Sequence, residues 1–244
     1  MPGMLANIEN AVDNRGATRE KETVGVDVTT RVFLVRHGET SLAAEDRFAG
    51  STDVPLGPNG YVQTEKLADR LAQVSFAAVY ASPMQRAIET AAILARRHGL
   101  EVVARDALRE LNHGHWEGLR RAEVETKFPD EYSCWVEDPF TFAPHGGETG
   151  VHVVARALPV IREIVVTHRG HSVLIVSHKA TIRLLIASLL GFDARGYRDR
   201  LDQSPASLTV IDFKDPVRAR LMLFNDVSHY SAQPLAETPR LSHW

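Results

Sequence analysis

The chain has only one cysteine, Cys134, and no run of about eighteen apolar residues. A single cysteine excludes an intramolecular disulfide bond and a zinc site made of cysteines. Residues 1–30 lack the apolar segment of a secretory signal, so we expect a cytoplasmic protein that does not cross a membrane. A net charge of −3 provides no general attraction to nucleic acid or to an anionic membrane. An anionic ligand must therefore be held by local charge.

The chain has 244 residues, of which 44% are hydrophobic and 24% charged, enough for one large α/β domain or two small ones. Residues 1–30 are polar and lack a sustained hydrophobic period, so we predict a flexible N-terminal extension, with docking to a partner as the less favoured alternative. Predicted strands and helices alternate over residues 31–230, and residues 231–244 form a C-terminal tail. This alternation predicts a single three-layer α/β/α sandwich with a mostly parallel central sheet.

Short apolar runs rich in β-branched residues predict the strands, and apolar residues at helical spacing predict the helices. The predicted strands are residues 32–35, 76–81, 100–104, 172–176, 207–213 and 220–224. The predicted helices are residues 59–74, 83–98, 120–128, 148–169 and 180–190. Asn59 and Ser82 are the predicted N-terminal caps of the first two helices. Residues 108–118 are predicted to form a loop, and residues 129–147 to be irregular.

Two of the predicted strands are followed by a histidine. Arg36 and His37 follow the first strand, and His178 follows the fourth. Open α/β sheets bind their ligands at the carboxyl ends of the strands, so both histidines are expected at one edge of the sheet. Gly38 permits a tight turn after His37 and the close approach of another group. Taken alone, the pair Arg36-His37 fits an ordinary polar loop equally well.

Arg86 and Glu110 are further charged residues that this topology can bring to the same edge. A phosphate monoester carries close to two negative charges, which suits two guanidinium groups and a positively charged histidine. One histidine can attack phosphorus while a carboxylic acid protonates the leaving oxygen. Since arginines would supply the positive charge, neither a metal nor another cofactor is required.

Several segments, taken in order along the chain, carry a more specific pattern. They are LVRHGET at 34–40, RFAG at 47–50, DVPL at 53–56, SPMQRA at 82–87, TA at 90–91, LRE at 108–110, GHWEG at 114–118, GGET at 146–149 and VSH at 176–178. Together they resemble the histidine phosphatase superfamily, also called phosphoglycerate mutase-like, from about residue 31 to residue 230. The resemblance implies the phosphoglycerate mutase-like version of the α/β/α sandwich.

The resemblance also implies a role for each residue of the predicted site. His37 would be the nucleophile that becomes a phosphohistidine, Arg36, Arg86 and His178 would bind the phosphoryl group, and Glu110 would be the proton donor and then the base for water. Glu110 has an alternative interpretation as a salt-bridge partner of Arg109. Thr40 either contacts the phosphate or caps the following turn, and the two readings are equally weighted.

Two residues depart from the family pattern. Ala43 stands where many members have an asparagine near the phosphate, so one contact is missing. Lys179 replaces the glycine that usually follows the second histidine. Its side chain either adds charge near the pocket or lies on the surface, and the surface is slightly favoured.

Substrate-binding residues are predicted around the phosphate site. The candidates are Arg36, Thr40, Arg47, Gly50, Arg86, His113 and Lys179, and His115, Arg120 and Arg121 are further candidates for the outer pocket. Each of the basic residues in the outer pocket, taken alone, also fits an ordinary solvated side chain. Trp116 and Trp135 are candidates for stacking on a sugar, but a buried structural role is favoured for both.

The segment after Glu110 is similar to that of the phosphatases in the family, because it lacks the Arg-His-Tyr-Gly motif and the longer basic insertion of the mutases. We therefore expect a metal-independent phosphomonoesterase that hydrolyses a small metabolite, such as a sugar phosphate or a phosphoglycerate derivative. The alternatives are a phosphoglycerate mutase or other phosphotransferase, and a non-catalytic module that binds phosphorylated ligands. The expected partner is a small-molecule phosphomonoester, with no nucleic acid or membrane, and a homodimer is left open.

Overall fold

The computed structural model of the protein describes residues 28–40 and 47–231. The predicted N-terminal extension up to residue 27, the tail from residue 232 and the departure at Ala43 lie outside the described residues. Among the helices that are described, none is long and apolar enough to cross a membrane.

The described residues form six strands and seven α-helices. The strands are β1 (Thr30–Arg36), β2 (Phe76–Ala81), β3 (Val102–Ala104), β4 (Ser172–Ser177), β5 (Leu208–Phe213) and β6 (Ala219–Asp226). The helices are α1 (Pro58–Leu71), α2 (Gln85–Arg96), α3 (Arg121–Lys127), α4 (Pro129–Glu137), α5 (Gly150–Thr167), α6 (Lys179–Leu190) and α7 (Tyr197–Arg200). Single 3-10 turns lie at Asp106–Leu108, Gly114–Trp116 and Ala194–Gly196.

The strands form one sheet in the order β3-β2-β4-β1-β5-β6. Strand β4 lies at its centre and is parallel to both β1 and β2, and β3 continues the parallel part. Strand β5 is antiparallel to β1, and β6 is antiparallel to β5. The predicted mostly parallel sheet is therefore confirmed, with the antiparallel pairings at one edge.

Alternate residues of β1 face opposite sides of the sheet and belong to two separate cores. Val32 and Leu34 pack with residues of α5 and α6, whereas Phe33 and Val35 pack with residues of α1 and α2. Because side chains of a strand alternate between its faces, a strand that is apolar at every position requires a cover on both. Helices supply both covers, which confirms the predicted three layers.

Helix α4 was not expected, because residues 129–147 were predicted to be irregular. Its first residue is Pro129, whose fixed φ suits the start of a helix, and Asp130 and Glu131 lie in the first turn, where negative charge is favoured. The helix is anchored by Trp135, which is buried against Phe48. A helix this short with one buried residue shows no apolar period, so tertiary packing rather than pattern determines it.

The two predicted caps are wrong. Gly57 occupies the cap position of α1 and Pro58 begins that helix, while the side chain of Asn59 donates to Glu39 Oε1 at 3.1 Å. Helix α2 begins at Gln85 rather than directly after Ser82. Ser82 Oγ accepts a hydrogen bond from the Met84 amide at 3.3 Å, so the serine shapes the turn before the helix.

Candidate active site

The two histidines that follow β1 and β4 lie side by side at the carboxyl edge of the sheet. The parallel register places Arg36 opposite Ser177, and the His37 amide donates to the Ser177 carbonyl at 3.0 Å. The ring centroids of His37 and His178 are 5.1 Å apart. Adjacent parallel strands thus bring together two side chains that are far apart in the sequence, as their positions after strands predict.

The ring of His37 is held in one orientation by its own loop. Nδ1 lies 2.7 Å from the Gly38 carbonyl oxygen. Because a carbonyl oxygen can only accept, Nδ1 carries the proton and Nε2 carries the free lone pair. Burial, together with the positive charges of Arg36 and Arg86, holds the pKa of His37 well below its usual range. The ring is therefore neutral at neutral pH.

Gly38 allows the loop after β1 to touch helix α1. A Cβ atom on Gly38 would lie 2.6 Å from the Gly60 carbonyl oxygen and 2.9 Å from Thr64 Oγ1. The Gly38 amide donates to Thr90 Oγ1 of α2 at 3.1 Å. The close approach expected at this glycine is thus made by α1, and it locks the backbone that carries the carbonyl acceptor of His37.

His178 is fully buried and contacts Ser82, with 2.7 Å between Nε2 and the serine Oγ. Within the described part of the chain, its Nδ1 has no hydrogen-bond partner. Burial and the nearby charge of Arg86 hold the pKa of His178 well below its usual range. When the Ser82 hydroxyl donates to Nε2, the proton of the neutral ring lies on Nδ1.

The guanidinium group of Arg86 is held by backbone carbonyl groups of residues 49–52. Nη1 donates to the Thr52 carbonyl at 2.8 Å, and Nη2 donates to the carbonyls of Ala49 at 3.0 Å and Gly50 at 2.9 Å. A Cβ atom on Gly50 would lie 2.0 Å from the Leu111 carbonyl oxygen, so the loop passes where only glycine fits. Gly50 therefore positions Arg86 through its backbone.

Arg36 lies beside the histidines and is held from the opposite side of the site. Its Nη1 donates to the Gln203 carbonyl at 2.6 Å. Its Nε is buried and has no partner among the residues that the structure describes. Burial lowers the pKa of Arg36 to about 10, which leaves it positively charged at neutral pH.

The carboxylate of Glu110 lies at the N-terminus of helix α6. Its Oε2 accepts from the Ala180 amide at 3.1 Å, and its Oε1 accepts from the Thr181 amide at 3.1 Å. Arg109 instead pairs with Asp106, with 2.7 Å between Nε and Oδ1. The alternative that Glu110 pairs with Arg109 is therefore wrong, and backbone donors aim the carboxylate.

These groups surround one cavity of about 240 Å³. Nine of the ten residues predicted for the site line it: Arg36, His37, Thr40, Arg47, Gly50, Arg86, Glu110, His113 and Lys179. The tenth, His178, is buried beside His37 rather than at the cavity wall. Lys179 also lines the cavity, and its side chain is 43% exposed, so it adds charge near the pocket and lies at the surface as well.

The further candidates for the outer pocket separate into two groups. Arg121 lines the cavity. His115 instead contacts Glu131, with 3.3 Å between Nε2 and Oε2, and Arg120 forms an isolated β-bridge with Arg47. His115 and Arg120 lie outside the cavity wall.

The two tryptophans lie in a small aromatic core next to the cavity. Trp116 is fully buried there, packed against Phe48, which confirms the structural role favoured for it. Trp135 is buried in the same core but also reaches the cavity wall.

Arg183, Tyr197 and Arg198 also line the cavity and were missed in the sequence. Arg183 carried a usable signal, because it lies four residues after Lys179 on the same face of α6. The four-residue helix α7 has no such period. Across residues 28–40 and 47–231, no three His, Cys, Asp or Glu side chains are grouped as a metal site would need.

Comparison with known proteins gives consistent matches. A sequence model of the histidine phosphatase superfamily (branch 1) matches residues 32–227. Phosphoserine phosphatase 1 of Hydrogenobacter thermophilus is 33% identical over 163 residues, which are 67% of this chain and 77% of that protein. A bifunctional protein of Mycobacterium tuberculosis is 36% identical over 202 residues, covering 82% of this chain and 55% of that longer protein. The solved structure of mycobacterial glucosyl-3-phosphoglycerate phosphatase superposes with a TM-score of 0.74 at 31% identity, over 81% of this chain and 99% of that one.

Proposed function

Because the chain belongs to the histidine phosphatase superfamily (branch 1) and is a phosphoric monoester hydrolase, we propose that it hydrolyses a small phosphorylated metabolite through a phosphohistidine on His37. The observation that carries this proposal is the contact of 2.7 Å between His37 Nδ1 and the Gly38 carbonyl. It directs the lone pair of a buried, neutral ring away from its own loop, as a nucleophile requires.

In the first step, His37 Nε2 attacks phosphorus and the bond from phosphorus to the ester oxygen breaks. Glu110, in its acid form, gives a proton to the leaving oxygen, which departs as an alcohol. Arg36 and Arg86 neutralise the phosphoryl oxygens, and Nδ1 of His178 donates a hydrogen bond to one of them. These groups supply the positive charge without a metal ion.

In the second step, water attacks the phosphohistidine. The Glu110 carboxylate takes a proton from the water, the bond between Nε2 and phosphorus breaks, and inorganic phosphate leaves. Nε2 regains its lone pair and Glu110 regains its proton, so the enzyme returns to its starting state.

The test is release of inorganic phosphate from a panel of phosphomonoesters in excess chelator, with phosphoserine and phosphoglycerates among them. The matched variants are His37→Ala and His115→Ala, because His115 lies outside the cavity wall. We expect release by the native protein and by His115→Ala, and a loss of at least about 10⁴-fold in His37→Ala.

Three other outcomes would change the proposal. If the chelator stops the activity, a metal ion rather than the arginines supplies the positive charge that the phosphoryl group needs. Transfer of phosphate to another hydroxyl without release would favour the phosphotransferase. Binding of esters without turnover would favour the non-catalytic module.

A further inference from the structure

The cavity contains more positive charge than the transferred phosphoryl group needs. Besides Arg36 and Arg86, its wall includes Lys179 and Arg183 of α6 and Arg198 of α7. We call these last three residues the α6–α7 cluster. None of them has a part in the two steps described above.

The α6–α7 cluster adjoins the group proposed to protonate the leaving oxygen. Lys179 and Arg183 lie one helical turn apart on the same face of α6. The carboxylate of Glu110 binds the amides of Ala180 and Thr181, in the first turn of that helix. The alcohol part of an ester bound at His37 would therefore leave towards the α6–α7 cluster.

The two arginines of the cluster are mostly buried, while their partner carboxylates are in solvent. The side chains of Arg183 and Arg198 are 9% and 15% exposed. Asp202, which pairs with Arg183 at 2.9 Å, is 64% exposed, and Asp199, 3.5 Å from Arg198, is 44% exposed. Exposed carboxylates are screened by water, so they neutralise the cavity side of these arginines only weakly.

Some of the donors in the cluster have no acceptor. Arg183 Nε and Arg198 Nη1 are buried, and neither has a hydrogen-bond partner within residues 28–40 and 47–231. The guanidinium group of Arg198 lies 4.0 Å from the ring centroid of Trp135, which fixes its plane. Since an unpaired buried donor is costly, these nitrogens indicate a place for ligand oxygens.

Lys179 lies close to two of the arginines that line the cavity, and their charges affect its pKa. Burial, with the neighbouring Arg183 and Arg36, lowers the pKa of Lys179 to about 8. Asp202 lies 3.8 Å from Nζ and opposes this effect only in part. Burial is the larger cause of the lowered pKa, and the two arginines add to it because like charges disfavour a charged lysine.

We propose that the α6–α7 cluster binds a second acidic group, a carboxylate or a phosphate, on the alcohol part of the substrate. The proposal rests on the phosphomonoesterase activity proposed above. It makes Lys179, Arg183 and Arg198 determinants of specificity and selects phosphate esters of acids over esters of neutral alcohols.

The test compares substrates that differ only in the second group. The carboxylate pair is 3-phosphoglycerate and glycerol 3-phosphate. The phosphate pair is fructose 1,6-bisphosphate, corrected for its two esters, and fructose 6-phosphate. Arg198→Met removes the charge but keeps an apolar stem over Trp135. Its matched control is Arg195→Met, because Arg195 is 65% exposed and pairs with Asp193 outside the cavity wall.

We expect the native protein to prefer the acidic member of at least one pair by about tenfold or more in kcat/KM. Arg198→Met should reduce that preference by about tenfold, and Arg195→Met should retain it. Lys179→Met, at a half-exposed position, repeats the test if Arg198→Met does not fold. An equal loss with both members of each pair, or a native protein without preference, would overturn the proposal.

A binding measurement separates failure of this proposal from failure of the proposed activity. Calorimetric titration of His37→Ala with both members of the carboxylate pair measures binding at the α6–α7 cluster without turnover. If no ester is hydrolysed but 3-phosphoglycerate binds about tenfold more tightly than glycerol 3-phosphate, the proposed binding role of the cluster is supported and the proposed activity is overturned. If esters are hydrolysed but the two ligands bind equally, the proposed activity is supported and the α6–α7 cluster does not bind a carboxylate.

Discussion

Two groups of residues lie at the same cavity but are held in different ways: the proposed phosphoryl site (His37, His178, Arg36, Arg86 and Glu110) and the α6–α7 cluster. In the phosphoryl site, His37 contacts a carbonyl of its own loop, Arg86 donates to three carbonyls and Glu110 accepts from amides of α6. In the cluster, Arg183 and Arg198 are held by exposed aspartates and by the face of Trp135. Backbone groups cannot change with a substitution elsewhere, whereas side-chain partners can. Under the two proposals made above, backbone contacts would fix the geometry of the reaction, and side-chain contacts would determine which alcohol is preferred as the leaving group.

The largest effect should come from removing the proposed proton donor. Glu110→Gln cannot protonate the leaving oxygen, so hydrolysis of an alkyl phosphate should fall by about 10³-fold in kcat. With p-nitrophenyl phosphate, whose leaving group needs no proton, the loss should be far smaller. Steady-state kinetics of the native protein and the variant with both esters measures the ratio of the two losses in kcat. Equal losses with the two esters would assign Glu110 to positioning rather than to proton transfer.

A smaller effect should follow from changing the backbone-anchored arginine. Arg86→Lys keeps the charge but cannot form the fork that reaches the carbonyls of Thr52, Ala49 and Gly50. We expect kcat/KM to fall by about 100-fold for acidic and neutral esters alike, since both present the same phosphoryl group.

The matched control for that change is Arg96→Lys, an exposed arginine on the same helix that pairs with Glu65 at 2.8 Å. Its activity should match that of the native protein. If Arg86→Lys lost activity only with acidic esters, the division of the cavity into two parts would be wrong.

The smallest effect should be a pH dependence that belongs to the cluster. Lys179 is charged below its pKa of about 8 and neutral above it, so its attraction for a second acidic group is lost as the pH rises. The preference for 3-phosphoglycerate over glycerol 3-phosphate should therefore fall by several fold between about pH 7 and about pH 9. In Lys179→Met the preference should be the same at both pH values. An unchanged pH dependence in that variant would assign the effect to another group.

The difference between the phosphoryl site and the α6–α7 cluster also explains how much of the cavity could be predicted from the sequence. His37 and His178 follow apolar strands, and the topology of parallel sheets then brings them to one edge. Arg198 lies on a helix of four residues, too short for any period, and helix α4, which carries Trp135, had been predicted as irregular. Arg183 lies four residues after Lys179, and this spacing was the only signal for it in a helix that is buried on most sides. The residues at strand ends, and Lys179 directly after His178, were predictable because topology determines their position, whereas the position of Arg198 depends on the packing of a short helix.

The identity of the nucleophile is tested most directly by trapping the intermediate. The native protein should be mixed with a good substrate, quenched in alkali within one turnover and analysed by mass spectrometry and ³¹P NMR. We predict one phosphoryl group per active site, bound to Nε2 of His37, stable in alkali and lost in acid, and none in His37→Ala. Release of phosphate at the native rate by His37→Ala, or a phosphoryl group trapped on another residue, would contradict the account.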